Sequence, residues 1–152
     1  MSDPISFDTL SPRFGLPLLF SGQAQKEVYV NEAHALIDAL LHCAVESVAT
    51  APPAIPADGS NWLIGAAAIG DWSGKSNSIA CRQDGNWIYV SPRDGMIVLN
   101  RATGQQLRYV GTWTAAANVT PPSSGNVVDV EARAAIISIL TALEAFGILA
   151  TS

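Results

Sequence analysis

The sequence predicts an α+β fold: a small antiparallel β-sheet or barrel domain, flanked by an N-terminal arm plus helix and by a C-terminal helix. Three observations predict it. Apolar residues recur at helical spacing between positions 31 and 48; short apolar runs alternate with glycine-bearing turns between 55 and 119; helical patterning returns from 126 behind a linker. The predicted divisions are an extended docking arm over 1–20, a helix plus β-domain over 21–119, and an oligomerisation helix over 126–152.

The arm is punctuated by Pro4, Pro12, Gly15 and Pro17. Prolines at that density forbid a helix and favour extended chain. Its isolated apolar residues, Phe7, Leu10, Phe14 and Leu18, are anchors for lying on the chain's own domain or on a neighbouring subunit. Beyond it, Ala33, Leu36, Ile37, Leu40, Leu41, Ala44, Val45 and Val48 alternate three and four apart, one face of an amphipathic helix that ends before Pro52-Pro53. Asn31 is the expected N-cap, and Val28-Tyr29-Val30 reads as extended chain entering the helix.

The central region carries apolar runs at Trp62–Ile64, Ser78–Cys81, Trp87–Val90, Met96–Leu99 and Gln106–Val110. Asp58-Gly59, Gly70-Asp71, Asp84-Gly85, Asp94-Gly95 and Thr103-Gly104 separate them. Regular Gly-bearing turns between short runs predict antiparallel strands. Three G-x-W triplets end at Trp72, Trp87 and Trp113, but their intervals are unequal, so they are not a repeat.

After the linker Pro121-Pro122-Ser123-Ser124-Gly125, a helix is expected with Asp129 as N-cap and Gly147 as its stop. Ile136, Ile137, Ile139, Leu140, Leu143 and Phe146 are interleaved with alanines, and only Glu131, Arg133 and Glu144 carry charge. A helix apolar on most of its circumference must be buried on most of it, which for this segment means burial against another subunit.

Composition narrows the function classes. The 152 residues are 49% hydrophobic and only 14% charged, so apolar surface exceeds what one domain conceals, and an obligate oligomer is expected. A net charge of −5 with scattered basic residues excludes nucleic acid as the main partner. Apolar stretches are interrupted well short of a membrane span, and the opening MSDPISFDTL lacks a signal peptide's basic and apolar regions. The expected location is therefore inside the producing cell or a particle assembled there. Cys43 and Cys81 fit reduced cytosolic thiols, with Arg82 expected to lower the Cys81 pKa slightly.

No catalytic motif is present: no G-x-S-x-G, P-loop, G-x-G-x-x-G or H-E-x-x-H. His34 and His42 lie eight apart, too far around a helix to share a metal. His34 and Asp38 have i, i+4 spacing and read as a solvated pair on the polar face. No catalytic residue, metal or cofactor is expected. The tryptophans read as core of a small sheet; as the alternative, Trp72, Trp87 and Trp113 would present stacking faces to host surface polysaccharide.

The most distinctive stretch is Gln23-Ala24-Gln25-Lys26-Glu27-Val28-Tyr29-Val30-Asn31-Glu32-Ala33, preceded by Leu16-Pro17-Leu18-Leu19. It resembles the Q-A-Q-K-x-V-x-x-N-E-A signature of a domain family found in tail-fibre and head-spike proteins of bacteriophages and of alphaproteobacterial gene transfer agents. The resemblance runs on through Leu36–Leu40, Pro52-Pro53, Gly59, Trp62–Gly65, Trp72-Ser73-Gly74 and Asp84–Trp87 to Ser91–Gly95. It implies a virion component assembled in the bacterial cytoplasm, partnered by capsid, spike or fibre proteins, and carries over no catalytic residue. Relatives often continue into a long fibre region where this sequence has one helix, which favours a short base or adaptor. The expected assembly residues are Phe7, Leu10, Phe14, Gln23, Gln25, Lys26, Asn31, Ile136, Ile137, Leu140, Leu143 and Phe146. A homotrimer is favoured over a pentamer. Gln23, Gln25 and Asn31 are expected to tie the extended segment to the β-region or to a neighbour.

Overall fold

Turn chemistry cuts the middle of the chain into strands as the sequence predicts. A computed structural model describes residues 9–19, 22, 26–123, 125 and 128–150. Among them, helix α1 (Glu27–Leu40) precedes eight strands and helix α2 (Val130–Ala145) follows them. The strands are β1 (Ala44–Val45), β2 (Val48–Ala49), β3 (Asn61–Ile64), β4 (Ile79–Gln83), β5 (Asn86–Val90), β6 (Ile97–Asn100), β7 (Gln105–Val110) and β8 (Thr112–Thr114). They form two four-stranded sheets, ordered β1-β6-β7-β8 and β2-β3-β4-β5, and no closed barrel. The β4–β5 hairpin shows the local logic. Asp84 and Gly85 take φ of 46° and 72° between the paired Gln83 and Asn86, the doubly left-handed geometry for which Asp-Gly is suited.

The long ladders are antiparallel, but β1 runs parallel to β6 and β2 parallel to β3. Residues 43–49 thereby stitch the sheets together: Cys43 and Val45 accept from Leu99 and Arg101 in one sheet, Ser47 and Ala49 from Leu63 and Gly65 in the other. Val45, fully buried, sits between the sheets with Leu63, Ile79, Cys81, Val98 and Leu107. The opposite face of the second sheet carries a separate core, Trp62, Ile64 and Ala80, closed by Trp72 from the segment between β3 and β4. Side chains of β3 therefore pack alternately into two cores, which explains why all four of its residues are buried.

Helix α1 differs from its sequence reading at both ends. Val28, Tyr29 and Val30 are helical, because a β-branched residue costs a helix only tenths of a kcal/mol. Glu27 in the first turn suits the helix dipole, and its Oε1 accepts from the Gly22 N–H at 3.1 Å. The helix stops at Leu40 rather than running through Val48, since residues 43–49 gain two strand ladders by leaving it. Asn31 is not the N-cap. From within the helix its side chain accepts from the Leu19 N–H (2.8 Å) and donates to the Leu19 carbonyl (3.0 Å), holding the arm as a paired strand would.

The arm is a hairpin rather than a straight strand. Leu10 bridges Pro17, and Ser11 N–H donates to the Leu16 carbonyl at 2.9 Å. It docks on a group read from sequence as solvated: Asp38 is only 1% exposed. Its carboxylate accepts from Ser11 Oγ at 2.7 Å and from the N–H groups of Arg13 at 3.0 Å and Phe14 at 2.6 Å. His34, read as the partner of Asp38, turns instead to the Pro17 carbonyl, 2.8 Å from Nδ1. The last turn of α1 has no basic residue of its own, and Arg13 supplies one. Its guanidinium donates to the carbonyls of Asp38, Ala39 and His42. The hairpin also crosses the Gly59 turn, where φ is +81° and a Cβ would lie 3.1 Å from Pro12 and Arg13.

Replacing Asp38 by alanine orphans Ser11 Oγ and two backbone N–H groups. Chemical denaturation should show a loss of about 3 kcal/mol, and limited proteolysis should cut the arm faster than in the unaltered chain.

Candidate assembly surface

Helix α2 begins and ends where the sequence places it. Asp129 accepts from the Ala132 N–H at 2.8 Å, and Gly147 takes φ of +68° just past the helix. Glycine is required there twice over, since a Cβ would lie 2.6 Å from the Gly104 carbonyl oxygen. That close approach fastens the helix end to β7, where Gln106 donates its N–H to the Gly147 carbonyl and its Nε2 to the Phe146 carbonyl. Ala150 N–H, bonded to Asn118 Oδ1 at 3.2 Å, ties the returning chain to the segment just before the linker.

Among the described residues, one side of α2 meets its own chain. Leu140 is buried and Leu143 half-buried, while Arg133 donates to the Pro122 carbonyl. Leu140 and Leu143, expected to bury against another subunit, are thus largely spent within the protomer. Ile136, Ile137, Ile139 and Phe146 remain exposed, Phe146 at 76%. The turn of helix facing away from Leu140 carries Glu131, Ala134, Ala135, Ser138 and Ala142, all exposed.

The other expected assembly residues are dispersed. Leu10 and Phe14 are exposed on the arm hairpin, with the Phe14 ring beneath the Arg13 guanidinium and 6.2 Å from His42. Lys26 is exposed at the start of α1, and Asn31 is committed to Leu19. Phe7, Gln23 and Gln25 lie outside the described residues.

Between the arm and α2 runs a surface the sequence reading missed, the outer face of the sheet β1-β6-β7-β8. Ile97 and Leu99 point outward, 55% and 40% exposed, while Val98 between them is buried. Two clefts of about 350 and 310 Å³ cross this face and share Ile97 and Gln106. The first is lined also by His42, Cys43, Ala44 and Leu99, the second by Arg108, Thr114, Ala115, Ala116 and Ile148. The legible signal was the run Met96-Ile97-Val98-Leu99, apolar without alternation, the mark of a strand covered on both faces.

The tryptophans divide. Trp72, offered as a sugar platform, is fully buried, its ring 5.2 Å from Trp87 and 6.4 Å from Trp62, and has no face for a ligand. Trp87 is half-buried beneath the Arg82 guanidinium, and Trp113 donates its Nε1–H to the Asn77 carbonyl at 2.8 Å, bridging the two sheets. Among the described residues, no group of three His, Cys, Asp or Glu could hold a metal ion, and no helix is long and apolar enough to cross a membrane.

Arg82 does not lower the Cys81 thiol. Burial, reinforced by the neighbouring Cys43, pushes it from the ordinary 9.0 up to about 12. Burial also raises Cys43, opposed by Arg13. Both are free thiols kept protonated in the fold, the opposite of a nucleophile. A proton held more tightly folded than unfolded stabilises below the unfolded pKa and loses that contribution as pH rises. Stability should therefore fall between pH 9 and 12, and the fall should be shallower in Cys81→Ala, as urea titrations across that range would record.

No curated protein matches the chain. A family model does, across residues 30–114, from the body of α1 to the last strand of the β-domain; it leaves out the arm, Gln23–Lys26 and α2. The matched span is more than half of the sequence, and the chain belongs to the family described as protein of unknown function DUF2793.

Proposed function

We propose that this protein is a structural component of a phage or gene-transfer-agent particle, a base or adaptor of a head spike or tail fibre, and acts by assembly rather than by chemistry. One observation carries the reading. A capped, well-formed helix presents Ile136, Ile137 and Ile139 to solvent, with Phe146 exposed just beyond it. Exposed apolar surface of that extent on a folded domain marks an interaction site, and a second exposed apolar surface joins Ile148, Ile97 and Leu99. The particle assignment is supported by the resemblance of Gln23–Ala33 to the signature segment of spike and fibre proteins.

The division of labour follows. The arm hairpin and the two cores hold each protomer together, which leaves α2 and the outer sheet face to join copies. A cyclic homo-oligomer, with a trimer favoured, buries both surfaces without leaving open ends.

Light scattering of the full chain tests the assembly. The expected mass is three times the 15.9 kDa of one chain, and a monomer at all concentrations would overturn the proposal. Ile137→Asp with Ile139→Asp should reduce the assembly to folded monomers with unchanged circular dichroism. Mass spectrometry of purified particles from the producing bacterium should find the chain in fixed ratio to capsid or tail proteins, and its absence from them would remove the particle assignment.

A further inference from the structure

We propose that the groove across the outer face of the sheet β1-β6-β7-β8 receives helix α2 of a second copy of this chain, with Glu131 of the incoming helix meeting Arg108. The inference rests on the oligomer reading above and states which two surfaces meet.

The groove is apolar at its centre, where Ile97 and Leu99 stand outward from β6, and Ile148 closes one end. Arg108 stands on β7 opposite Ile97 in register and lines the same cleft. Among the described residues its guanidinium has no hydrogen bond or ion pair, whereas Arg101, just past β6, is paired with Glu46 at 2.8 Å. An unpaired cation in an apolar trough calls for an anion arriving with apolar surface.

The free side of α2 fits that description. Ala134, Ala135, Ser138 and Ala142 are small enough to bring the helix axis close to a sheet, and Ile139 borders them. Glu131 lies on the same side, and among the described residues its carboxylate has no partner either. The helix cannot fill the groove of its own chain. Its opposite side carries the buried Leu140 and holds the linker through the Arg133 hydrogen bond to the Pro122 carbonyl, and its C-terminal end is fastened to β7 through Gly147. A helix of one copy on the sheet of the next is a heterologous contact, which requires no two-fold axis and gives a ring when the rotation between successive copies closes.

Charge reversal tests the pairing on the full-length chain. Arg108→Glu and Glu131→Arg are both exposed changes and should leave circular dichroism and thermal melting unchanged. Each should raise the concentration at which the oligomer dissociates by about tenfold or more, because like charges then face each other. The double variant should return it to near the starting value. An oligomer unmoved by either single change, or a double variant no better than the singles, would overturn the helix-in-groove contact and leave the oligomer reading standing. An unaltered chain that is monomeric throughout would overturn both.

Discussion

The buried carboxylate of Asp38 organises the N-terminal third of the protein. A group of this kind is costly to remove from water unless its oxygens are fully bonded. Here one hydroxyl and two backbone N–H groups, from Ser11, Arg13 and Phe14, do the bonding. Satisfying it bends the arm into a hairpin, and that bend carries the Arg13 side chain to the open carbonyls at the end of α1. From the other side, Asn61 on β3 donates to the carbonyls of Ala39 and Ala44. Arm, helix end and first sheet residues are thus locked by one connected set of hydrogen bonds, and the exit of the chain from α1 into β1 is set by it.

From that exit the sandwich follows. Because residues 43–49 pass from one sheet to the other, Val45 is placed between them at no exposure, and the two sheets share a core. The second sheet needs a further cover for Trp62 and Ala80, which Trp72 provides with two edge-to-face ring contacts nearby. Among the described residues the outer face of the first sheet has no such cover. Its outward Ile97 and Leu99 are the unmatched half of the architecture, and α2, which uses one side for its own linker, is the unmatched helix. In the proposed assembly these two deficits answer each other between copies.

How much of this was legible beforehand differs by element. Strands β3 to β7 and their turns are legible nearly to the residue, because Asp-Gly and neighbouring turn pairs bracket apolar runs and local chemistry decides them, whereas β1, β2 and β8 are not. The caps of α2 were legible for the same reason. The first helix was misread at both ends, since Val28–Val30 is outweighed by its surroundings and Ala44–Val48 keeps helical spacing while pairing as strands. Of the candidate assembly residues, Ile136, Ile137 and Phe146 are exposed, whereas Leu140 is buried in the protomer and Asn31 serves the arm.

By itself the sequence determined the α+β class, the turn positions, the capped C-terminal helix and the surplus of apolar residues over charge. All of these are local or compositional properties. Only the tertiary structure decided that Asp38 is an anchor and not a surface charge, that Trp72 is core and not platform, and that Ile97 and Leu99 face outward beside Arg108. Each depends on which distant segment arrives to cover or leave a side chain, and the spacing of residues along one chain does not contain that information.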